Sequence, residues 1–346
     1  MQTGIRQGQW LAAIGLALVL AVPTRAQTVS KAGTVAGDFL QIGVGARAMA
    51  MGGSFVAAAD DASALYWNPA GLAHLEGGET MAVHSRWLAD VSFDYLGAAL
   101  RLGTLGTLGV SVTMLSVPDM LVRTEDRPEG TGEWFDAADL AIGLSYGRFI
   151  TDRFAIGATA KFIQQRIWHS SAVGFAVDLG VQFRTDFFGG LTLGAAVYNF
   201  GTDMRMSGRD LRTFVDPDPT REGNNNRIPA NYETDSWSLP LNFQFGVALR
   251  PIQTRMHQLL LTADALHPSA NYESVNVGVE YGFQQRIFLR GGYHALFLPE
   301  AEGGLSAGLA VHQVLPYAGG LAKLEYAYRD SGRLGGVHIV GIGITF

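Results

Sequence analysis

The sequence predicts an all-β fold: a 14-stranded antiparallel transmembrane β-barrel with a small N-terminal helical hatch. Three observations predict it. Only 16% of the 346 residues are charged, although 48% are hydrophobic, whereas an ordinary soluble domain carries about 25% charge. From Glu79 onward, apolar residues recur at every second position, in segments of about ten residues, the length that crosses a bilayer at a tilt. After the first residues, no apolar run is long enough to span as a helix, so a membrane chain must close into a barrel that satisfies every backbone group. The composition also excludes function classes. With no Cys, disulfide scaffolds, thiolate metal sites and Cys nucleophiles are ruled out. A formal charge of −6 without a basic run argues against nucleic acid.

Residues 1–26 read as a secretory signal. Arg6 supplies the positive start, Trp10 to Val22 an apolar core, and Thr24 and Ala26 the small residues before a cleavage site. Residues 27–78 form the hatch or plug. They do not alternate, and they are rich in helix-start chemistry. Asp60 or Asp61 can cap a short helix through Tyr66, and Asn68 can cap a second turn with Pro69 in its first position. Gly43 and Gly45 hint at a phosphate loop, but Ala48 breaks the glycine spacing and no βαβ unit surrounds it.

Residues 79–346 form the barrel. Val173, Phe175, Val177, Leu179, Val181 and Phe183 alternate with Gly174, Asp178, Gly180 and Gln182. Leu239, Leu241, Phe243, Phe245, Val247 and Leu249 alternate with Asn242, Gln244, Gly246 and Ala248. Period two with one apolar face means strands. Fourteen such segments run near 79–86, 91–101, 105–117, 136–149, 154–167, 171–184, 189–200, 239–250, 257–266, 273–283, 286–296, 303–313, 320–330 and 335–346. An even strand number, short turns on one side and longer loops on the other are the outer-membrane pattern. The expected location is therefore the bacterial outer membrane, with the lipid bilayer as the first partner. The final strand ends on an aromatic, Phe346, which resembles the signal read by the barrel-assembly machinery.

The polar faces of these strands carry Asp139, Lys161, Asp178, Asp264, Glu280, Arg290, Lys323 and Glu325. Both signs occur, and unpaired buried charge is expensive, so structural pairing in a narrow or plugged lumen outweighs a polar solute path. The two longest connections, near 118–135 and 201–238, are the candidate docking surfaces. The second carries Phe214, Tyr232 and Trp237 among its charges, with an Asn224-Asn225-Asn226 run and Pro217 and Pro219 that read as an irregular excursion. It would serve either as a docking surface or as a lid over the barrel mouth. No enzyme is expected. The eight His form no His-x-x-x-His pair and no Gly-x-Ser-x-Gly elbow occurs, which leaves only His84-Ser85 and His169-Ser170 as remote candidates. No metal or cofactor is called for.

The block Gly43-Val44-Gly45-Ala46-Arg47-Ala48-Met49-Ala50-Met51-Gly52-Gly53, followed by Ala58-Ala59-Asp60-Asp61-Ala62-Ser63-Ala64-Leu65-Tyr66-Trp67-Asn68-Pro69-Ala70-Gly71-Leu72, resembles the N-terminal signature of the PorV/PorQ family. That family lies within the wider FadL-like outer-membrane barrels. The resemblance implies a barrel with an N-terminal hatch whose motif positions are Gly43, Gly45, Arg47, Gly52, Gly53, Asp60, Asp61, Asn68, Pro69 and Gly71. A PorV-like role implies type IX secretion: secreted proteins received from an outer-membrane translocon and carried by their C-terminal signal domains. A FadL-like role implies instead a channel for long-chain fatty acids or other hydrophobic compounds. The signature carries over no substrate-contact residue.

Overall fold

The computed structural model describes residues 31, 33–218, 220, 227–298, 301, 303–315 and 319–346. The predicted signal segment lies outside the described residues. Fourteen long strands make the wall: β1 Gly78–Arg86, β2 Ser92–Arg101, β3 Thr107–Leu121, β4 Trp134–Thr151, β5 Phe154–Ile167, β6 Ser170–Thr185, β7 Leu191–Gly201, β8 Asn242–Gln253, β9 His257–Pro268, β10 Ser274–Phe283, β11 Ile287–Leu296, β12 Leu305–Leu315, β13 Gly320–Asp330 and β14 Gly336–Thr345. Each pairs antiparallel with its sequence neighbours, and β1 closes on β14 in the register Glu79↔Thr345 to Arg86↔His338. Closure leaves no barrel edge strand with unpaired N–H and C=O groups in lipid. Gly78 and Phe346 exchange backbone hydrogen bonds of 2.7 and 2.8 Å, so both ends of the barrel lie at one rim, the terminal end. The long connection after β7 lies at the other rim, the loop end.

The alternation sorts the side chains as it must. Leu96, Leu144, Phe175, Leu179, Leu289, Leu324 and Ile342 stand exposed on the outer wall. An apolar belt this continuous is a lipid-facing surface. The inward positions face the plug, which fills the lumen from residue 38 to about residue 76 as a chain of short turns. These are a 3₁₀ turn at Asp38–Gln41, the helix α1 at Ala46–Ala50, the helix α2 at Ala64–Trp67 and a second 3₁₀ turn at Pro69–His74. Asn68 caps this last turn by accepting from the Ala70 N–H, with Pro69 in first position. Asp61 does not cap α2 directly. It accepts from both the backbone N–H and the hydroxyl of Ser63, the residue at the helix start.

Glycine explains how so much plug fits inside. A Cβ on Gly157 would lie 2.2 Å from the Pro69 carbonyl carbon, and one on Gly180 would lie 2.1 Å from Asn68 Oδ1. A Cβ on Gly194 would meet the Val56 carbonyl oxygen at 2.5 Å, and one on Gly292 would meet Met51 at 2.2 Å. The wall is bare where the plug backbone touches it. Within the plug, Gly52 and Gly53 take left-handed φ angles of 67° and 73° that an L side chain would strain.

Three expectations about the loops change. β3 runs on to Leu121 and β4 starts at Trp134, so the excursion near 118–135 shrinks to 122–133, where ladder pairing ends. The strand expected from residue 239 starts at Asn242, because Pro240 has no N–H to give a ladder. Leu239 consequently leaves the outer face and buries with Phe39, Ile163 and Met204 under the flap. The excursion near 201–238 is not irregular throughout. Met204–Arg205 pairs with Ser236–Trp237, Arg212–Val215 pairs with Ile228–Asn231, and Ser207–Gly208 adds to the start of β6. Ala36 donates to the Ser238 carbonyl, which ties the start of the plug to the root of this flap.

Replacing Gly157 by Val drives a side chain into the plug backbone at Pro69, and replacing Gly180 by Val drives one into the Asn68 and Pro69 side chains. We expect a loss of about 1–3 kcal/mol and an ion conductance in planar bilayers that the parent lacks. A variant that stays closed and equally stable would refute the glycine sockets.

Candidate functional site: a plugged lumen with two chambers

The plug is latched to the wall by charge. Arg47 in α1 reaches Glu280 of β10 through Nε and Nη2, at 2.8 and 2.9 Å, in a bidentate fork. Its Nη1 meets Asp60 and Asp61 of the plug, each at 2.7 Å. Its guanidinium also stacks over the Phe55 ring, 5.1 Å from the centroid. The chain continues outward. Glu280 also takes Arg290 at 2.7 Å, Arg290 takes Glu325 at 2.9 Å, and Arg250 of β8 holds the other oxygen of Asp60 at 2.8 Å. Lys323 pairs with Glu79 beside this cluster. Burial disfavours the charged forms, but the facing opposite charges outweigh it. Arg47 is held above its ordinary pKa, and the Arg47 and Arg250 guanidiniums hold the Asp60 carboxyl well below the usual carboxylate range.

A second set of latches uses backbone. Asp264 of β9 accepts from the N–H groups of Phe55 and Val56 at 2.6 and 2.9 Å and from the Gln244 amide at 2.9 Å. The Asn68 amide donates to the Val56 carbonyl in the plug and to the Val181 carbonyl in β6. Gln182 donates to Val56 and Ala59, and its carbonyl accepts from His74 Nε2 at 2.8 Å. Trp67 donates to the Val44 carbonyl at 2.7 Å. On the far wall Lys161 meets Asp178 at 2.6 Å and Asn199 at 3.0 Å.

Among the described residues, the plug is flanked by a chamber toward each end of the barrel. The one toward the terminal end, about 470 Å³, is lined by Arg47, Arg250, Glu280, Arg290, Glu325 and Gln258 and is charged. The one toward the loop end, about 570 Å³, is lined by Phe39, Leu40, Ile42, Trp67, Trp87 and Leu115 together with polar groups of β4, β5, β10 and β13. Glu280, Arg290, Lys323 and Glu325 thus gather around Arg47, Asp60 and Asp61. Asp264 and the Lys161–Asp178 pair stand apart from that cluster, and Asp139 lines the loop-end chamber. Gly43 packs against Met49 and Trp67, Gly45 precedes α1 with φ 86°, and Gly71 approaches the Ala59 carbonyl. Phe214, Tyr232 and Trp237 are exposed on the flap, and the Arg227 guanidinium lies 4.8 Å from the Phe214 ring centroid. Phe346 is exposed at the terminal rim.

Arg250, Glu79 and Gln182 were missed as latch residues. Arg250 continues the polar run Asn242, Gln244, Gly246, Ala248 at period two, which was the available signal. The remote catalytic pairs fall apart. His84 faces out toward Asp94 while Ser85 is buried, and His169 is held by Asp210 and Arg209.

A family model described as Uncharacterised protein family (UPF0164) matches residues 16–213. No curated protein matches. Among solved structures, the chain is similar to the Pseudomonas putida toluene transporter TodX, with a TM-score of 0.54 at 13% identity over 87% of this chain and 97% of that one. It is similar to the CymD monoaromatic hydrocarbon channel, with a TM-score of 0.57 at 12% identity over 88% and 98%. It is also similar to a Pseudomonas aeruginosa FadL homologue, with a TM-score of 0.50 at 12% identity over 93% and 98%. At such identities the likeness is one of fold.

Removing Arg47 should unlatch the plug. Arg47→Met leaves Glu280 and Asp60 short of a counter-charge and should cost about 3–5 kcal/mol, read as a lower denaturant midpoint of Trp67 fluorescence. The double variant Arg47→Met, Glu280→Gln should recover part of the loss, and equal loss in both would argue against the pairing.

Acid should weaken the plug in a defined window. Burial and the nearby Arg184 push the half-buried His74 down to about 4. Between the ordinary histidine value near ~6.5 and that pH, the unfolded chain binds a proton that the folded chain refuses. Stability should therefore be intact above pH ~6.5 and fall by up to ~3 kcal/mol as pH drops toward 4. Unfolding titrations of the parent and His74→Gln at pH 7.5 and 4.5 check this, and the variant should show the smaller pH loss.

Proposed function

The chain belongs to the uncharacterised family UPF0164, and from that starting point we propose that it is an outer-membrane barrel that admits small hydrophobic compounds at the loop end. The observation that carries this reading is the chamber above the plug. Its 570 Å³ falls in the range of about 300–1,000 Å³ used by small-molecule sites. Its wall at Phe39, Leu40, Ile42, Trp87 and Leu115 is apolar, and polar groups including Asp139, Lys161, Asn199 and Gln244 face that wall. The names of the structural neighbours, a toluene transporter and a monoaromatic hydrocarbon channel, point the same way. The chamber below sets its apolar side chains among the Arg47, Arg250, Glu280, Arg290 and Glu325 charges, so capture of a hydrocarbon belongs to the upper one.

A fluorescence titration with naphthalene tests the reading, because Trp67 and Trp87 line the site. Saturable quenching is expected in the parent, and it should be lost when Leu115→Trp fills the chamber without lowering the unfolding midpoint. Undiminished saturable quenching in that variant would move the site elsewhere.

One observation favours a second reading, a PorV-like shuttle in type IX secretion. Phe214, Tyr232 and Trp237 stand exposed on a backbone-paired flap over a plugged barrel, and exposed aromatics are a common basis of protein docking. On this reading the partners are secreted proteins with C-terminal signal domains and an outer-membrane translocon. Pull-down from native membranes with the parent and with Phe214→Ala/Tyr232→Ala/Trp237→Ala distinguishes the two. Co-purification of such proteins that depends on the three aromatics supports the shuttle, and its absence leaves the hydrophobic channel. Insertion through the barrel-assembly machinery by way of Phe346 belongs to either reading.

A further inference from the structure

Beside the charged chamber, the terminal-end mouth of the barrel holds a further cavity of about 330 Å³, lined by Arg184, Thr192, Arg250, Gln253, Asp60 and Asp186. The ladder explains how it is built. Arg184 of β6 and Ala248 of β8 both stand opposite Thr192 of β7. With strands about 4.8 Å apart, those two positions flank Thr192 at roughly 10 Å from one another. Arg250 is the next inward-facing residue of β8 after Ala248, so the two guanidiniums rise on either side of β7. The wall between them is bare. Gly190, just before β7, has φ 114°, and a Cβ added there would meet nothing within 4 Å.

The charges around this notch are unevenly matched. Arg250 holds Asp60, which Arg47 also holds, and Asp186 is taken by Arg153 at 2.5 Å. No carboxylate comes within ion-pair distance of Arg184 among the described residues, and the Arg250 guanidinium acts on it more strongly than the Asp60 carboxylate does. Two like charges facing one notch repel, and an anion between them turns that repulsion into two attractions. The rim adds to the effect. Arg148, Arg153, Arg255 and Arg286 are exposed at the terminal end against Glu76, Asp152 and Asp186, a field that draws anions toward the mouth.

We infer that this cavity binds phosphate-type oxyanions between the Arg184 and Arg250 guanidiniums, with the Thr192 hydroxyl and the Gln253 amide as further donors. A tetrahedral anion presents oxygens to both sides at once, which suits two guanidiniums carried by different strands, whereas a planar carboxylate is satisfied by a single fork. The phosphate can belong to a soluble compound or to the headgroup of a lipid at the rim. The cavity shares no lining residue with the loop-end chamber, so the inference is independent of the hydrophobic site proposed there.

The test is a calorimetric titration of inorganic phosphate into the full chain in octyl glucoside, at pH ~8, where phosphate is a dianion, and at constant ionic strength with chloride as the reference salt. Saturable binding is expected. Arg184→Met should weaken it about 10- to 100-fold, the range for hydrogen bonds to a charged group, and Arg184→Lys should keep part of it. Arg255→Gln, which removes a rim cation outside the cavity, should leave it nearly unchanged. Repeating the titration in phosphatidylcholine nanodiscs with and without phosphatidate separates the sources. A weaker apparent phosphate affinity when phosphatidate is present assigns the site to a lipid headgroup, and an equal affinity assigns it to a soluble phosphate. Absence of saturable binding in the parent, full binding in Arg184→Met, or an equal loss in Arg184→Met and Arg255→Gln would overturn the site.

Discussion

The fork between Arg47 and Glu280 is the contact on which the rest of the lumen depends. Among the described residues it is the one place where a plug cation donates two parallel hydrogen bonds to a wall carboxylate, and each partner holds further charges in place. Glu280 is shared with Arg290, which in turn fixes Glu325. Arg47 is shared with Asp60, which in turn fixes Arg250. Removing any link leaves a desolvated charge on both sides, so the network behaves as one unit. Buried pairs of this kind add little net stability over apolar packing, but they penalise every other placement of the plug. The network therefore sets register: it holds α1 to β10 and residues 60–61 to β8.

Steric fit does the same work elsewhere on the circle. Gly157 and Gly180 accept the Pro69 turn, Gly194 accepts Val56, and Gly292 accepts Met51. The Gly157, Gly194 and Gly292 sockets touch backbone, which cannot change rotamer to relieve a clash, so they are more demanding than side-chain packing such as that at Gly180. The 44 glycines and the 16% charge of the chain follow from the same arrangement. The outer wall excludes charge because lipid does, the inner wall is thinned to admit a backbone, and most of the charge that remains inside is paired, between plug and wall or between wall strands.

How much of this could be read from the residues differs by level. Period-two alternation located all fourteen strands, because a barrel wall between lipid and a filled lumen forces opposite chemistry on successive residues. Strand ends were less legible. Leu239 fits the outward pattern of Leu241 and Phe243, yet Pro240 interrupts the ladder and tertiary contact with Phe39 draws Leu239 inward. The extensions of β3 and β4 beyond the expected ends depend on pairing between distant segments, which local pattern does not encode. The same limit applies to the lumen charges. Alternation placed Glu280 and Lys323 on the inner face, but their partners, Arg47 and Glu79, are separated from them by more than two hundred residues.

The two chambers give the molecule an asymmetry that bears on transport. Above the plug, a solute meets aromatic and aliphatic side chains on one side and polar groups such as Asp139, Lys161 and Gln244 on the other; below it, guanidiniums, carboxylates and glutamines stand beside Ile252, Leu259, Leu260 and Phe288. Moving an apolar body from the first to the second gives up its contacts and displaces water from charged groups, so the upper chamber is where a hydrophobic ligand is retained. A floor made of Gly53, Met49 and Trp67 lies between them, held from below by the Arg47 network and from the side by Asp264. Any passage through the lumen must therefore disturb contacts that are charged on one side and apolar on the other. Capture and release are thus governed by different forces, burial of apolar surface for the first and the strength of the ionic latch for the second, and each can be altered by substitution without touching the other.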